Sequence, residues 1–240
     1  MTGMLASVNS LDEALLILNT SADIIDLKNP EQGALGALAT KTIIEIVRAV
    51  NYKKPVSATI GDIPMRPEQV FNGANVIAKT GVDYIKIGFF PDGDWDGCLS
   101  ELAKLTLQGN HLIAVLFADT QPDFGQIKSI KEAGFTGVML DTMDKSQGSL
   151  TQNMPQHKIV EFVTLANKSQ LLCGLAGSLK LEDIPQLLKL KIDYLGFRGA
   201  LCEQQNRTAR LNLDAISKLL NQFNSCSPHE LKEKISALIE

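Results

Sequence analysis

Two lysines stand where lysines are seldom found. Ala22-Asp-Ile-Ile-Asp-Leu-Lys-Asn-Pro30 reads as a short strand closed off by Asn29-Pro30. Side chains alternate along a strand, so Ile24, Asp26 and Lys28 share one face while Ile25 and Leu27 share the other. Charged groups are rarely buried unless they are paired. Tyr84-Ile-Lys-Ile-Gly88 repeats the anomaly by setting Lys86 between two isoleucines. Burial and a neighbouring ammonium both lower a lysine pKa from its usual ~10.4 toward neutrality. One such amine can condense with a carbonyl to form a Schiff base, and the other can move protons at the adjacent carbon. Asp26 and Asp141 could hold the lysines or shuttle protons. Plain structural ion pairs, Lys28–Asp26 or Lys86–Asp141, are the alternative.

These residues need a frame that brings them together. Eight strand-like runs are predicted: Met4–Val8, Ile24–Lys28, Val56–Gly61, Tyr84–Phe89, Leu112–Asp119, Gly137–Asp141, Leu171–Gly177 and Tyr194–Gly199. A helix-like run follows each. Ser10-Leu-Asp-Glu13 has the form of a capping box, Thr42–Val50 carries apolar residues at helical spacing, and Pro67 opens a helix. Trp95–Leu107, Phe124–Glu132, His157–Ala166, Leu181–Leu190 and Leu213–Phe223 complete the set, with Pro185 expected near the start of its helix. Eight strand-then-helix units predict a single closed (β/α)8 barrel over residues 1–224. The structural rival is an open doubly wound sheet, but no Gly-x-Gly-x-x-Gly follows the first strand. Residues 225–240 form a tail with a further helix expected over Glu230–Leu238.

A parallel barrel carries its active site at the C-terminal strand ends. Asp26, Lys28, Lys86, Asp119 and Asp141 therefore gather at one mouth. Ser57, Thr59 and Gly61 leave room there for a ligand. Gly174-Leu-Ala-Gly-Ser178 and Gly196-Phe-Arg-Gly-Ala200 end the last two strands, where backbone N–H groups commonly bind phosphate. Gly177, Ser178, Arg198, Gly199 and Ala200 are the candidate contacts, with tight turn geometry as the bland alternative. Lys145 lies in a polar loop and is by default solvated.

Composition narrows the function classes. The 240 residues carry 23 Lys plus Arg against 27 Asp plus Glu, a net charge of -4, which argues against a non-specific nucleic-acid binder. Cys98, Cys173, Cys202 and Cys226 show no zinc or disulfide spacing, and the three histidines form no metal motif. No secretory signal and no apolar run of membrane-spanning length is visible. The expectation is a cytoplasmic enzyme that acts on a small phosphorylated molecule and forms a homo-oligomer.

Six segments in order carry a family resemblance: Ala22–Pro30, Ser57-Ala-Thr-Ile-Gly-Asp62, Asp83-Tyr-Ile-Lys-Ile-Gly88, Met139-Leu-Asp-Thr142, Leu175-Ala-Gly-Ser-Leu-Lys180 and Phe197-Arg-Gly-Ala200. Together they resemble the (5-formylfuran-3-yl)methyl phosphate synthase family, from about Met4 to about Phe223. The resemblance implies condensation of two glyceraldehyde 3-phosphate molecules, with loss of phosphate and water, to give a phosphorylated furan on the way to methanofuran-type one-carbon carriers. It implies Lys28 as the Schiff-base lysine and Lys86 as the proton acceptor, with Asp26, Asp141 and Lys145 as further polar site positions. In the implied scheme an enamine formed beside the imine attacks the aldehyde of the second triose. No metal or organic cofactor is demanded, because the lysine is the electron sink. The chain departs from the family pattern at Lys145-Ser-Gln-Gly148 and at Phe117, where a tyrosine is expected. Another Schiff-base aldolase for sugar phosphates, or a non-catalytic sugar-phosphate-binding barrel, are the competing readings.

Overall fold

The computed structural model describes residues 2–226. Eight parallel strands close on themselves in sequence order: β1 (Gly3–Val8), β2 (Ile24–Leu27), β3 (Val56–Thr59), β4 (Tyr84–Phe89), β5 (Leu112–Phe117), β6 (Gly137–Asp141), β7 (Leu172–Leu175) and β8 (Tyr194–Phe197). β8 returns to pair with β1, Leu5 facing Gly196 and Ala6 facing Phe197. The predicted (β/α)8 barrel is the fold. The helix expected over Glu230–Leu238 lies outside the described residues.

The helices are α1 (Leu11–Leu18), α2 (Thr40–Val50), α3 (Pro67–Ala78), α4 (Trp95–Thr106), α5 (Gln126–Glu132), α6 (Leu150–Asn153), α7 (Gln156–Lys168), α8 (Ile184–Leu187) and α9 (Leu213–Cys226). Each longer helix buries one stripe against the sheet. On α2 that stripe is Ile43, Ile46 and Val50, and on α4 it is Cys98, Leu99, Leu102 and Leu105. Pro67 stands at the start of α3 and Pro185 at the start of α8, where a missing N–H costs nothing. The seventh unit differs from its expected single helix. Leu181–Asp183 is a 3-10 turn, and only Ile184–Leu187 is α-helical. The extra helix α6 was not anticipated; its cap is Ser149, whose side chain and that of Gln152 satisfy each other's backbone N–H.

Strand alternation sorts the barrel into two cores. Outward residues such as Ala6, Val8, Ile25, Leu27, Ala58 and Ile87 pack with the helices in one large cluster. Inward residues Leu5, Ile113, Val115, Phe117, Met139 and Tyr194 form a separate cluster inside the barrel. Each fully buried Leu, Ile or Phe in these layers contributes about 1.5–3 kcal/mol. Ala34 and Leu35, from the loop after β2, join the inner cluster. A side chain at Gly88 would strike Phe90, Leu35 and Phe117. Glycine there lets those groups fill the β4–β5 side of the mouth, so open space is left toward β1, β2 and β6–β8.

Candidate active site

A cavity of about 400 Å³ opens at the C-terminal end of the barrel, at the low end of the range for small-molecule sites. Its wall includes Lys28, Lys86, Asp141, Lys145, Gly177, Ser178, Arg198, Gly199 and Ala200. Asp26 sits just below it, fully buried. The structure therefore brings all ten residues singled out from sequence to one place. Several strands are shorter than expected. β2 ends at Leu27, β5 at Phe117, β7 at Leu175 and β8 at Phe197, so Gly177, Ser178 and Arg198 lie beyond the strand ends, while Lys28, one residue past β2, still donates its N–H to the Val8 carbonyl oxygen at 3.1 Å.

Asp26 is held from three sides. The Ser7 hydroxyl donates to its Oδ2 at 2.9 Å, the Ser57 hydroxyl to its Oδ1 at 2.6 Å, and Lys86 Nζ to the same Oδ1 at 3.0 Å. The strand register makes this possible. Asp26 is level with Ser7 on β1 and Ser57 on β3, and Lys86 is level with Thr59 on β3. Burial alone would raise the Asp26 pKa, but the ammonium groups of Lys86 and Lys28 and the Ser57 hydroxyl outweigh it and hold the carboxyl below its ordinary value.

Asp141 has a different partner. Lys145 Nζ donates to its Oδ1 at 2.5 Å and also to the Thr142 carbonyl oxygen. The Thr142 N–H donates to Asp141 Oδ1 at 2.7 Å. Burial pushes this carboxyl up, yet the Lys145 and Lys28 charges bring it down to about 2. Its Oδ2 is buried without a hydrogen-bond partner. The ion pairs are thus Lys86–Asp26 and Lys145–Asp141. The pairs Lys28–Asp26 and Lys86–Asp141, considered from sequence, do not form: Lys86 takes Asp26, and Lys145 reaches back four residues to Asp141.

Lys28 is the remaining amine. It is only 7% exposed, and its Nζ makes no hydrogen bond among the described residues. Burial lowers its pKa from 10.5 to about 8; Asp141 and Asp26 oppose the shift, while Lys145 and Lys86 add to it. At neutral pH such a group is neutral in roughly a tenth of molecules, against less than a thousandth for an ordinary lysine.

The loops after β7 and β8 supply a different element. Gly177 has φ +106° and Ser178 φ +47°, both left-handed. A Cβ at Gly177 would lie 2.9 Å from Thr142 Cγ2 and 3.0 Å from its backbone nitrogen, so only glycine fits. The N–H groups of Gly177, Ser178, Leu179, Gly199 and Ala200 have no acceptor among the described residues. Five amides without an acceptor thus line the wall of one cavity, the kind of backbone groups that bind anions elsewhere. Arg198, expected to add charge there, is instead drawn into a buried pair with Glu13.

Several site residues were not singled out from sequence. Ser7 and Glu13 needed the register of β1 against β2 and β8. Asp119 was seen as a strand end, but its work is to accept from the Met143 and Asp144 N–H groups at 2.7 Å each, which fastens the Lys145 loop. Asp62 does the same for the loop after β2, accepting from Ala34 and Leu35. Ser10 caps α1 through the Glu13 N–H as expected, but the Glu13 carboxylate turns to Asn9 N–H and Arg198 rather than back to its cap.

Among the described residues, no helix is long and apolar enough to cross a membrane. Solved structures confirm the barrel. Phosphoribosyl anthranilate isomerase from Thermus thermophilus superposes with a TM-score of 0.66 at 14% identity, covering 94% of this chain and 99% of that one. 3-Hexulose-6-phosphate synthase from Salmonella typhimurium gives 0.63 at 15% identity, covering 92% and 100%. At such identities the likeness is one of fold. Sequence relatives are nearer. The (5-formylfuran-3-yl)methyl phosphate synthase of Methanosarcina acetivorans is 34% identical over 228 residues, 90% of this chain and 97% of its own. That of Methanococcus maripaludis is 33% identical over 230 residues, with the same coverage. A Methylorubrum extorquens protein reaches 42% over 209 residues, 87% of this chain and 86% of its own. Residues 4–220 match the family described as 4-HFC-P synthase, and the chain belongs to that family.

Proposed function

We propose that this protein condenses two glyceraldehyde 3-phosphate molecules into (5-formylfuran-3-yl)methyl phosphate through an imine on Lys28. The observation that carries the reading is the Lys28 amine: buried, unpaired, with a pKa of about 8, and flanked by two lysines that are each tied to a carboxylate. That is the arrangement of a nucleophilic amine between two proton carriers.

Product connectivity orders the steps. The furan carbon that bears the phosphorylated CH2 carries no oxygen, so it was a carbonyl carbon that gained a carbon–carbon bond. The attacked group is therefore the ketone of an isomerised triose phosphate, not the aldehyde of the sequence-based scheme. In the reading that fits, Lys28 forms an imine with C1 of the other triose, releasing water. Lys86 gives its proton to the hydroxyl that leaves as that water, so the imine is protonated and Lys86 is neutral; Lys86 then removes the C2 proton, and the electron pair expels phosphate from C3. The resulting enol attacks the ketone of the isomerised triose through C3. The C1 hydroxyl of that second triose closes the ring on C2 of the first. Two dehydrations give the aromatic ring, and water returns to hydrolyse the imine. Two trioses thus yield one furan phosphate, one phosphate and two waters, with every atom placed and no external oxidant. Asp26 keeps Lys86 oriented, and the unpartnered Asp141 Oδ2 can take and return protons during ring closure.

Borohydride reduction in the presence of glyceraldehyde 3-phosphate tests the proposal. A reduced adduct mapped to Lys28, together with a product absorbing in the near ultraviolet, is expected. An aldol product without a furan chromophore, or no adduct at all, would overturn it.

A further inference from the structure

The chemistry above brings two phosphorylated trioses into one cavity, and the amide cradle of the β7 and β8 loops accounts for one phosphate. Arg198 is not free to take the other. Its Nε donates to the Arg207 carbonyl oxygen at 2.9 Å, Nη1 to Ser7 O at 3.2 Å and Glu13 Oε2 at 2.5 Å, and Nη2 to Glu13 Oε1 at 3.2 Å and Ala209 O at 3.0 Å. All five N–H groups of the guanidinium are spent. Arg198 is a strut beneath the segment that follows β8, and Glu13 holds the far end of that segment through Leu211 N–H at 3.3 Å.

What the strut presents is Arg207. Its Cβ lies 3.9 Å from where a Cβ on Gly199 would be, and its Nη2 donates to the Gly33 carbonyl oxygen at 2.9 Å in the loop after β2. The side chain thus runs above β1, from the β8 loop to the β2 loop, along the wall of the cavity that holds Lys28. Its remaining donors make no hydrogen bond among the described residues. Gln204 and Gln205, just before it, are both left-handed at φ +52° and +57°; glycine is the usual residue for that backbone, so this turn is strained and held in place from below. Lys180 also lines the cavity, but beside the cradle on the β7 side.

We infer that Arg207 is the receptor for a second phosphate monoester, separate from the amide cradle, so that the site holds two anions at once. A planar guanidinium matches phosphate oxygens in a bidentate fork. The inference rests on the two-triose reading for its biological meaning, but its test does not. Equilibrium dialysis with inorganic phosphate should find two equivalents bound per wild-type chain. Arg207→Ala should bind one, and Arg207→Lys two, with the second weakened at least threefold. One equivalent in the wild type, two of unchanged affinity in Arg207→Ala, or none in a folded Arg207→Ala would overturn it. Kinetically, Arg207→Ala should raise the KM for glyceraldehyde 3-phosphate at least tenfold while the borohydride adduct on Lys28 still forms. Loss of that adduct along with turnover would overturn the separation of the two sites. If wild-type protein forms no adduct yet the dialysis result stands, the furan reading fails and Arg207 remains an anion site.

Discussion

Replacing the nucleophile should make this protein more stable. Lys28 sits in the barrel at a pKa of about 8, against 10.5 for the ordinary side chain. Its folded state therefore sheds a proton more readily than its unfolded state. Between those two values the unfolded chain binds more protons, so stability rises with pH across that window. Below it the folded protein carries the full penalty of the buried charge. The depression corresponds to about 3 kcal/mol at pH 7 and shrinks to about 1 kcal/mol at pH 10. Lys28→Met keeps the volume and removes the charge. Urea denaturation of both proteins at each pH gives the difference directly, because titrating groups outside the mouth cancel. The variant should gain about 3 kcal/mol at pH 7, lose most of that gain at pH 10, and form no furan at either. A variant less stable than wild type, or equally favoured at both pH values, would refute the electrostatic account of Lys28.

Lys86→Met should cost about 3–5 kcal/mol, because it removes the ion-pair partner of Asp26 and leaves that buried carboxylate hydrogen-bonded to the Ser7 and Ser57 hydroxyls. Adding Asp26→Leu should restore most of that stability in the same denaturation assay, with no return of activity. Gly177→Ala places a Cβ against Thr142 at a left-handed position, so calorimetry should show a loss of about 1–3 kcal/mol and phosphate dialysis a weaker cradle. The pH profile of kcat/KM should rise tenfold per unit below a midpoint near 8 as Lys28 loses its proton. It should show no second break between pH 4 and 7 from Asp141, which stays ionised down to about 2.

Alternation in Ile24–Lys28 and Tyr84–Gly88 was enough to place Asp26, Lys28 and Lys86 on one face, and the count of eight repeats was enough to close the barrel. What the chain could not disclose was contact between distant residues. Arg198 looks like a phosphate ligand in Gly196-Phe-Arg-Gly, and only the fold shows it captured by Glu13, 185 positions away. Arg207 carries no local signal, since its importance comes from the strut under it and from Gly33 across the mouth. Strand ends were overshot for a physical reason. Apolar pattern continues past the strand ends, as at Ala118, which already belongs to a 3-10 turn, and at Ala176, which follows the end of β7.

Charge counting in the mouth explains why one lysine of three is the nucleophile. Among the described residues, the carboxylates that act on Lys28 and pair with Lys86 and Lys145 are Asp26 and Asp141. Two ion pairs can form, and one ammonium is left over. Which one is left over follows from reach. Lys86 lies where Asp26, fixed by two serines, is within 3.0 Å, and Lys145 is carried to Asp141 by a loop that Asp119 fastens. Lys28, just past the end of the strand that bears Asp26, makes no hydrogen bond or ion pair with either carboxylate among the described residues and is the one whose pKa burial lowers to about 8. The arrangement predicts its own failure. Asp119→Ala should free the Lys145 loop, weaken the Lys145–Asp141 pair and let Lys28 compete for Asp141. The midpoint of the kcat/KM profile should then move upward, above 8. An unmoved midpoint would mean that Lys28 owes its reactivity to burial alone, with the paired lysines as bystanders.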